Sequence, residues 1–261
     1  MNKKIFALAA LVIAFTGWEI YNQQKEVTMA DLSQTDPEFS LIWENFLNQE
    51  VIPHGNLSAK KRFLVLLATH IATQSEKEYR LILNKALKSG VTPVEVRETV
   101  YQTIPYVGMA KVYNFFELTN QIFSDNGIQL PLDNQGTTTA ENRLNKGIAV
   151  QSAIFGSEHI RQMRADAPQE LKHVQDYLSA NCFGDYYTRT GLDLQTRELL
   201  TFVALVAMGG ADPQVKAHVQ GNLNIGNDKQ LLLDTVTQML PYIGYPRSLN
   251  GITAINEIAK D

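Results

Sequence analysis

Apolar side chains recur at helical spacing along most of this chain, and no segment alternates convincingly between apolar and polar residues as a β-strand does. Between Phe63 and Ile71 the apolar positions mark one face of a helix. A second helix is predicted from Glu76 to Ser89, because Gly90 accepts the positive φ that ends many helices. The pattern therefore predicts an all-α fold.

Sequence signals bound two further helices. The sequence Thr-Pro-Val-Glu at 92–95 is a capping box with proline at the first helical position, and it predicts a helix that runs to about Gln102. The sequence Pro-Tyr-Val-Gly at 105–108 predicts a break, after which a fourth helix continues to about Phe123. Together the four helices make one predicted unit.

The same series of signals recurs 136 residues later without a gap. Residues 61–114 and 197–250 are identical at 11 of 54 positions, and the identities cluster at turns and apolar positions. We predict two tandem antiparallel helical units, the first over residues 36–125 and the second over residues 141–258. The segment 126–140 between them is rich in Gly, Asn, Asp and Thr and is predicted to be a linker.

The N-terminal segment has the composition of a targeting sequence. Lys3 and Lys4 precede an uncharged, mostly apolar run from Ile5 to Trp18, which is shorter than the ~20 residues of a bilayer span. Residues 1–28 are therefore predicted to be a signal peptide or an uncleaved anchor, and the protein to be exported, periplasmic or membrane-anchored. A cytoplasmic form starting at Met29 is the alternative, and a membrane is a partner only if the anchor stays.

Charge and cysteine content exclude several classes of function. The formal net charge is -4 and no basic block occurs, so nucleic acid is not a predicted partner. A carboxylated substrate would have to be bound by local arginines. Cys182 is the single cysteine, which excludes an intramolecular disulfide and a CxxC motif. It is either a small buried apolar residue or a reactive or intermolecular thiol.

Glu198 and His218 are the candidate catalytic residues. Their spacing suits two helices of one hairpin, and a carboxylate beside an imidazole fixes its tautomer for acid–base chemistry. The alternative is a surface glutamate and a half-buried histidine. In the first copy the corresponding positions are Arg62 and Ile82, so an acid–base pair is expected only in the second copy.

Arginine and tyrosine residues are candidates for substrate binding. Arg189 and Arg197 flank a loop before a helix, where two guanidinium groups can bind carboxylates bidentately or form ordinary salt bridges with Asp185 or Asp193. Tyr242, like Tyr106 in the first copy, lies in a Pro-Tyr-x-Gly break. Its hydroxyl either points into a pocket or caps a backbone carbonyl while the ring packs.

No metal site is predicted. His54 and His70 are isolated, and His159 and His173 have no second ligand at metal-binding spacing.

Several of these residues carry a resemblance to the γ-carboxymuconolactone decarboxylases. They lie in the Phe-Gly-x-Glu-His sequence at 155–159, in the sequence from Phe183 to Asp193, in the block from Thr196 to Leu200 with His218, and in the stretch from Gln238 to Pro246. The resemblance covers nearly all of residues 141–250, and the first copy is similar to a diverged version. It implies antiparallel helices of the alkylhydroperoxidase D-like type that assemble into a ring, which a tandem chain would form as a homotrimer.

The resemblance also implies a reaction. It suggests a cofactor-independent lyase that removes CO2 from a small carboxylated compound, with Arg189 and Arg197 as the carboxylate clamp and His218, oriented by Glu198, as the proton-transfer residue. The two cysteines of the related alkylhydroperoxidase D branch fall at Ala211 and Gln214 here, which disfavours a peroxidase or antioxidant function. A non-catalytic helical scaffold or binding protein is the other alternative.

Overall fold

The computed structural model describes residues 29–260, and every element of secondary structure in that range is helical. The all-α prediction is confirmed. The predicted signal peptide or anchor at 1–28 lies outside the described residues. Within them, no helix combines the length and the apolar character that crossing a bilayer requires.

The chain divides into two compact units after Pro53. The described part of the first unit consists of α1 (Met29–Thr35), α2 (Pro37–Asn45) and a π-helical turn (Phe46–Val51). The second unit begins at His54 and contains both repeated copies.

The first copy has the four helices expected from its sequence. They are α3 (Ala59–Thr73), α4 (Glu76–Lys88), α5 (Pro93–Val107) and α6 (Met109–Asp125). The predicted end of the third helix near Gln102 is wrong, because α5 continues through Pro105. The break falls at Gly108, whose φ of +91° is unfavourable for other residues.

The second copy follows residues 126–140, nearly all without helix, and a helical leader. The leader comprises α7 (Arg143–Phe155), α8 (Ser157–Asp166), a 3₁₀ turn (Gln169–Leu171) and α9 (Lys172–Tyr177), which continues as a π-helical segment (Leu178–Tyr187). The copy itself comprises α10 (Leu194–Met208), α11 (Asp212–Asn224) and α12 (Lys229–Ile258), and α12 is kinked at Gly244. Gly244 occupies the position that corresponds to Gly108.

The first helices of the two copies pack against each other at the centre of this unit. Residues 63–72 of α3 and 197–207 of α10 are all buried, so neither stretch has an exposed face. A helix that is buried all round must have neighbours on every side. The two copies therefore share one continuous core rather than forming separate domains.

The loop that leads into each copy lies against the third helix of the other copy. Gly55 and Gly191 are 136 residues apart and both have positive φ, +84° and +89°. A Cβ on Gly55 would lie 2.5 Å from Cγ of Asp234, and a Cβ on Gly191 would lie 2.9 Å from Cγ of Glu98. Since Glu98 and Asp234 also correspond, the duplication extends to these exchanged contacts.

Two glycines allow α7 to pack closely against the π-helical segment. A Cβ on Gly147 would overlap the carbonyl oxygen of Ser179 and lie 2.7 Å from the backbone nitrogen of Gly184. A Cβ on Gly184 would overlap the carbonyl oxygen of Arg143. The backbones therefore meet directly, and this contact holds the segment that carries Cys182, Phe183 and Tyr187.

We predict that Gly147→Ala destabilises the protein. Alanine in a helix interior is favoured over glycine by about 1 kcal/mol, but an overlap with backbone atoms costs about 3 kcal/mol. We therefore expect the free energy of unfolding, measured with urea, to fall by about 2 kcal/mol or more. Asn145→Ala on the exposed side of α7 is the matched control and should leave it unchanged or slightly raised. A stabilised Gly147→Ala variant would contradict the close contact.

Candidate functional site

Glu198 on α10 and His218 on α11 form a direct pair. Nδ1 of His218 lies 2.6 Å from Oε1 of Glu198. Glu198 is fully buried, and the imidazole keeps 10% of its surface exposed. A buried carboxylate facing Nδ1 holds the proton on that nitrogen, which leaves the lone pair on Nε2. Among the described residues, no group forms a hydrogen bond with Nε2.

A glycine makes room for this pair. Gly221 lies three residues after His218 on α11, and a Cβ there would overlap Oε1 of Glu198. The backbone of α11 can therefore approach the carboxylate closely enough for a short hydrogen bond. The side chain of Asn222 also ties the two helices together, because its Nδ2 donates to the carbonyl oxygens of Glu198 and His218.

The second oxygen of Glu198 belongs to a chain of hydrogen bonds. The hydroxyl of Tyr187 donates to Oε2 at 2.7 Å and accepts from the hydroxyl of Tyr106 at 3.1 Å. Sγ of Cys182 lies 3.4 Å from the Tyr106 oxygen, as a donor to it. Burial, reinforced by the nearby Glu198 and Cys182, raises the pKa of both tyrosines well above 10. Both therefore stay neutral and keep their protons for donation.

Aromatic rings flank the imidazole. The Tyr106 and Phe155 rings lie 5.6 Å and 5.4 Å from the His218 ring, both nearly perpendicular to it. Tyr106 comes from the first copy, Phe155 and Tyr187 from the leader, and His218 from the second copy. The sequence did not single out Phe155 or Tyr187 as site residues, although both lie in the stretches that carry the family resemblance.

Tyr242 is not at this site. Its ring lies 4.8 Å from that of His70, which is buried and has no hydrogen bond to either ring nitrogen within the described residues. Burial, aided by Glu78, raises the pKa of Tyr242 to about 12. Tyr242 lies near Arg62, the residue that corresponds to Glu198. Each Pro-Tyr-x-Gly tyrosine therefore reaches the other copy, and the one that contacts His218 is Tyr106.

The two candidate clamp arginines share a carboxylate of the first copy. Nε and Nη2 of Arg189 donate to Glu98 at 2.9–3.1 Å, and Nη2 of Arg197 donates to it at 2.9 Å. Arg197 is fully buried, so it presents no guanidinium surface to a substrate. Both form salt bridges, as the alternative expected, but Asp185 pairs with Arg143 and Asp193 caps α10.

A buried polar path joins these arginines to the imidazole. Nη1 of Arg197 donates to Gln102, and Nε2 of Gln102 donates to Oγ1 of Thr201 at 3.1 Å. Oγ1 of Thr201 lies 2.6 Å from the Tyr187 hydroxyl, which binds Glu198. Arg197 can therefore influence His218 only through intermediate groups.

The remaining candidates for chemistry give no further site. Cys182 is buried, and burial raises the pKa of its thiol to about 12. In residues 29–260, no three His, Cys, Asp or Glu side chains are grouped as metal ligands.

Comparison with known proteins gives two matches to one family. Residues 37–121 and 172–257 each match the carboxymuconolactone decarboxylase family. The chain is 26% identical over 121 residues to the 4-carboxymuconolactone decarboxylase of Acinetobacter baylyi, covering 46% of this chain and 90% of that protein. It is 24% identical over 116 residues to the nitrosuccinic acid decarboxylase of Metarhizium robertsii, covering 44% and 80%.

A shorter match is to an uncharacterized 15.0 kDa protein of Paracoccus denitrificans. The identity is 38% over 65 residues, which are 24% of this chain and 48% of that protein.

We predict that the Cys182 thiol is unreactive in the folded protein. A pKa of about 12 instead of 9 lowers the thiolate fraction at pH 8 by about a thousandfold, and only the thiolate attacks disulfides. We expect a chromogenic disulfide reagent to react at least about a thousandfold more slowly with native protein than with urea-unfolded protein. As a control, Cys182→Ser combined with Asn145→Cys moves the thiol to an exposed position and should react at the unfolded rate. Rapid native reaction of Cys182 would contradict its burial.

Proposed function

Because this chain belongs to the carboxymuconolactone decarboxylase family, we propose that it is a cofactor-independent decarboxylase of a small carboxylated compound, with His218 as its acid–base group. Two of its relatives are named as decarboxylases of different carboxylated compounds. The family therefore supports the reaction type and leaves the compound open. A non-catalytic scaffold is the alternative that the experiment below separates from it.

The observation that carries the proposal is the 2.6 Å contact between His218 and the buried carboxylate of Glu198. Decarboxylation breaks the bond between the carboxylate carbon and its neighbour, and the electron pair stays on that neighbour as CO2 leaves. The resulting carbanion or enolate needs a proton. In the proposal, Nε2–H of the His218 imidazolium supplies it, and the imidazole then recovers a proton from solvent.

The surroundings of His218 suit this role. Glu198 stabilises the imidazolium before transfer and holds the ring in one orientation, as a carboxylate does in other histidine-based sites. The Tyr106 and Phe155 rings limit access of water, so that the electrostatic interaction is stronger than in bulk solvent. Tyr187 keeps the carboxylate from rotating, because it binds the oxygen that His218 does not.

The substrate-binding roles are revised in this proposal. Tyr106 replaces Tyr242 as the tyrosine beside the reacting group, since Tyr106 contacts the imidazole. Arg197 is a positioning residue that acts through Gln102 and Thr201. Arg189 keeps a partly exposed guanidinium and remains a candidate for binding carboxylates.

The test is turnover of a panel of carboxylated lactones, β-keto acids and nitro acids by the full chain, followed by CO2 release. We expect His218→Ala to lower kcat/KM by at least about a hundredfold, because general acid catalysis contributes about 10²–10⁴-fold. Glu198→Gln should also lower it, since the amide no longer stabilises the imidazolium. His173→Ala, at an exposed histidine of α9, is the matched control and should turn over like the wild type.

Two outcomes would contradict the proposal. Unchanged turnover in folded His218→Ala would exclude the assigned mechanism. A folded wild-type chain that turns over no member of the panel would favour the scaffold alternative.

We also propose that three chains assemble into the ring implied by the family, through corresponding exposed apolar residues of the two copies. Met109 and Tyr113 are 52% and 55% exposed, and their counterparts 136 residues later, Tyr245 and Leu249, are 60% and 56% exposed. A surface that repeats with the duplication suits contacts that repeat around a ring.

Sedimentation analysis tests the assembly. We expect the wild type to sediment as a trimer, and Leu249→Glu to shift it towards monomer because a charge would be buried in the contact. Leu171→Glu, at an apolar residue that is 49% exposed and outside the repeated pairs, should remain trimeric. A monomeric wild type would contradict the proposal.

A further inference from the structure

A cleft of about 500 Å³ lies away from His218, between the first copy and the linker. Helices α5 and α6 form one side and residues 130–135 form the other. Its lining includes Arg97, Glu98, Tyr101, Asp133 and Arg189. This volume falls within the range of sites for small molecules. None of the residues in contact with His218 lines it, so it is a separate site.

Arg97 is a cation without a carboxylate partner. It forms no ion pair with any carboxylate among the described residues, and its one hydrogen bond goes from Nη2 to the side chain of Asn120. Its guanidinium lies 5.5 Å from the ring centroids of both Phe116 and Phe123. Burial lowers the pKa of Arg97, which means that its charge is partly desolvated. A guanidinium has five N–H donors, so most of them remain for a ligand.

Arg189 adds a second guanidinium with a free edge. It lies 4.6 Å from the Tyr101 ring centroid and binds Glu98 through Nε and Nη2. Its Nη1 forms no hydrogen bond within the described residues. The planar stacking on Tyr101 fixes the orientation of the guanidinium and leaves that edge for a carboxylate oxygen.

The charges in and behind the cleft do not cancel. Three guanidinium groups, those of Arg97, Arg189 and the buried Arg197, accompany two carboxylates, Glu98 and Asp133. Both arginine contacts of Glu98 are already made, and Asp133 is exposed, so water screens its charge. The cleft is therefore locally positive in a chain whose net charge is -4.

The second copy provides an internal comparison. The positions that correspond to Arg97 and Tyr101 are Leu233 and Thr237. The helical fold is thus maintained there without a cation or an aromatic ring. The arginine and the tyrosine are therefore features of this cleft and not requirements of the repeated fold.

We infer that this cleft binds a small organic dicarboxylate, with Arg97 and Arg189 each donating to one carboxylate group. The binding is separate from the proposed catalysis and does not rest on it. The cleft is nevertheless connected to the acid–base pair, because Glu98 binds Arg197, which begins the polar path through Gln102 towards Glu198.

Calorimetric titration of the full chain with succinate at low ionic strength tests the inference. We expect saturable binding by the wild type and by His218→Ala, which leaves the cleft intact. Arg97→Gln should weaken binding at least about tenfold, because a charge-assisted hydrogen bond is lost. Arg161→Gln is the matched control, since Arg161 is 74% exposed and paired only with Glu158, and it should bind like the wild type.

A second variant keeps the test independent of the folding of Arg97→Gln. Asp133→Asn removes an exposed negative charge from the rim, and we expect it to bind succinate a few-fold more tightly. Sulfate should bind at least about tenfold more weakly than succinate. The inference is overturned if the wild type shows no saturable binding, if folded Arg97→Gln or Asp133→Asn binds like the wild type, or if sulfate binds as tightly as succinate.

Discussion

The buried carboxylate of Glu198 is the constraint on which the rest of the site depends. An ionised group without solvent contact is costly unless hydrogen bonds replace its hydration. Here His218 binds one oxygen and Tyr187 the other. These two residues come from different parts of the chain, and Gly221 must lack a side chain to let them meet. The need to satisfy one charge therefore fixes the packing of α11, α10 and the π-helical segment.

The duplication explains why a single copy does not complete this site. The lead-in glycine and the Pro-Tyr-x-Gly tyrosine of each copy contact the other copy, so the two copies exchange elements around a shared core. The exchanged positions have diverged unequally. Around His218 they form an acid–base pair beside Tyr106, whereas Tyr242 meets Arg62 and a neutral, buried His70, whose pKa burial lowers to about 4. One half of the pseudosymmetric structure thus carries the chemistry, and the other completes it.

Arginine placement separates binding from catalysis in this molecule. Glu98 neutralises the buried Arg197 and part of Arg189, which allows both to remain in the interior. The excess positive charge appears in the cleft beside the linker and not at His218. A buried polar path through Gln102 and Thr201 connects the two regions. Such a path provides a physical route by which occupancy of the cleft can alter the hydrogen bonds of Tyr187.

The sequence by itself determined the helical class, the tandem repeat and the pairing of Glu198 with His218, because helical periodicity, glycine and proline positions and hairpin spacing are local properties. The partners of Arg189, Arg197 and Tyr242 were decided only by the tertiary structure. Glu98 lies about a hundred residues before Arg197, and nothing local indicates that its charge is buried against two arginines. Likewise the choice between Tyr106 and Tyr242 depends on how the copies exchange elements. Two identical motifs carry no signal of that exchange, since it arises from the packing of α3 against α10.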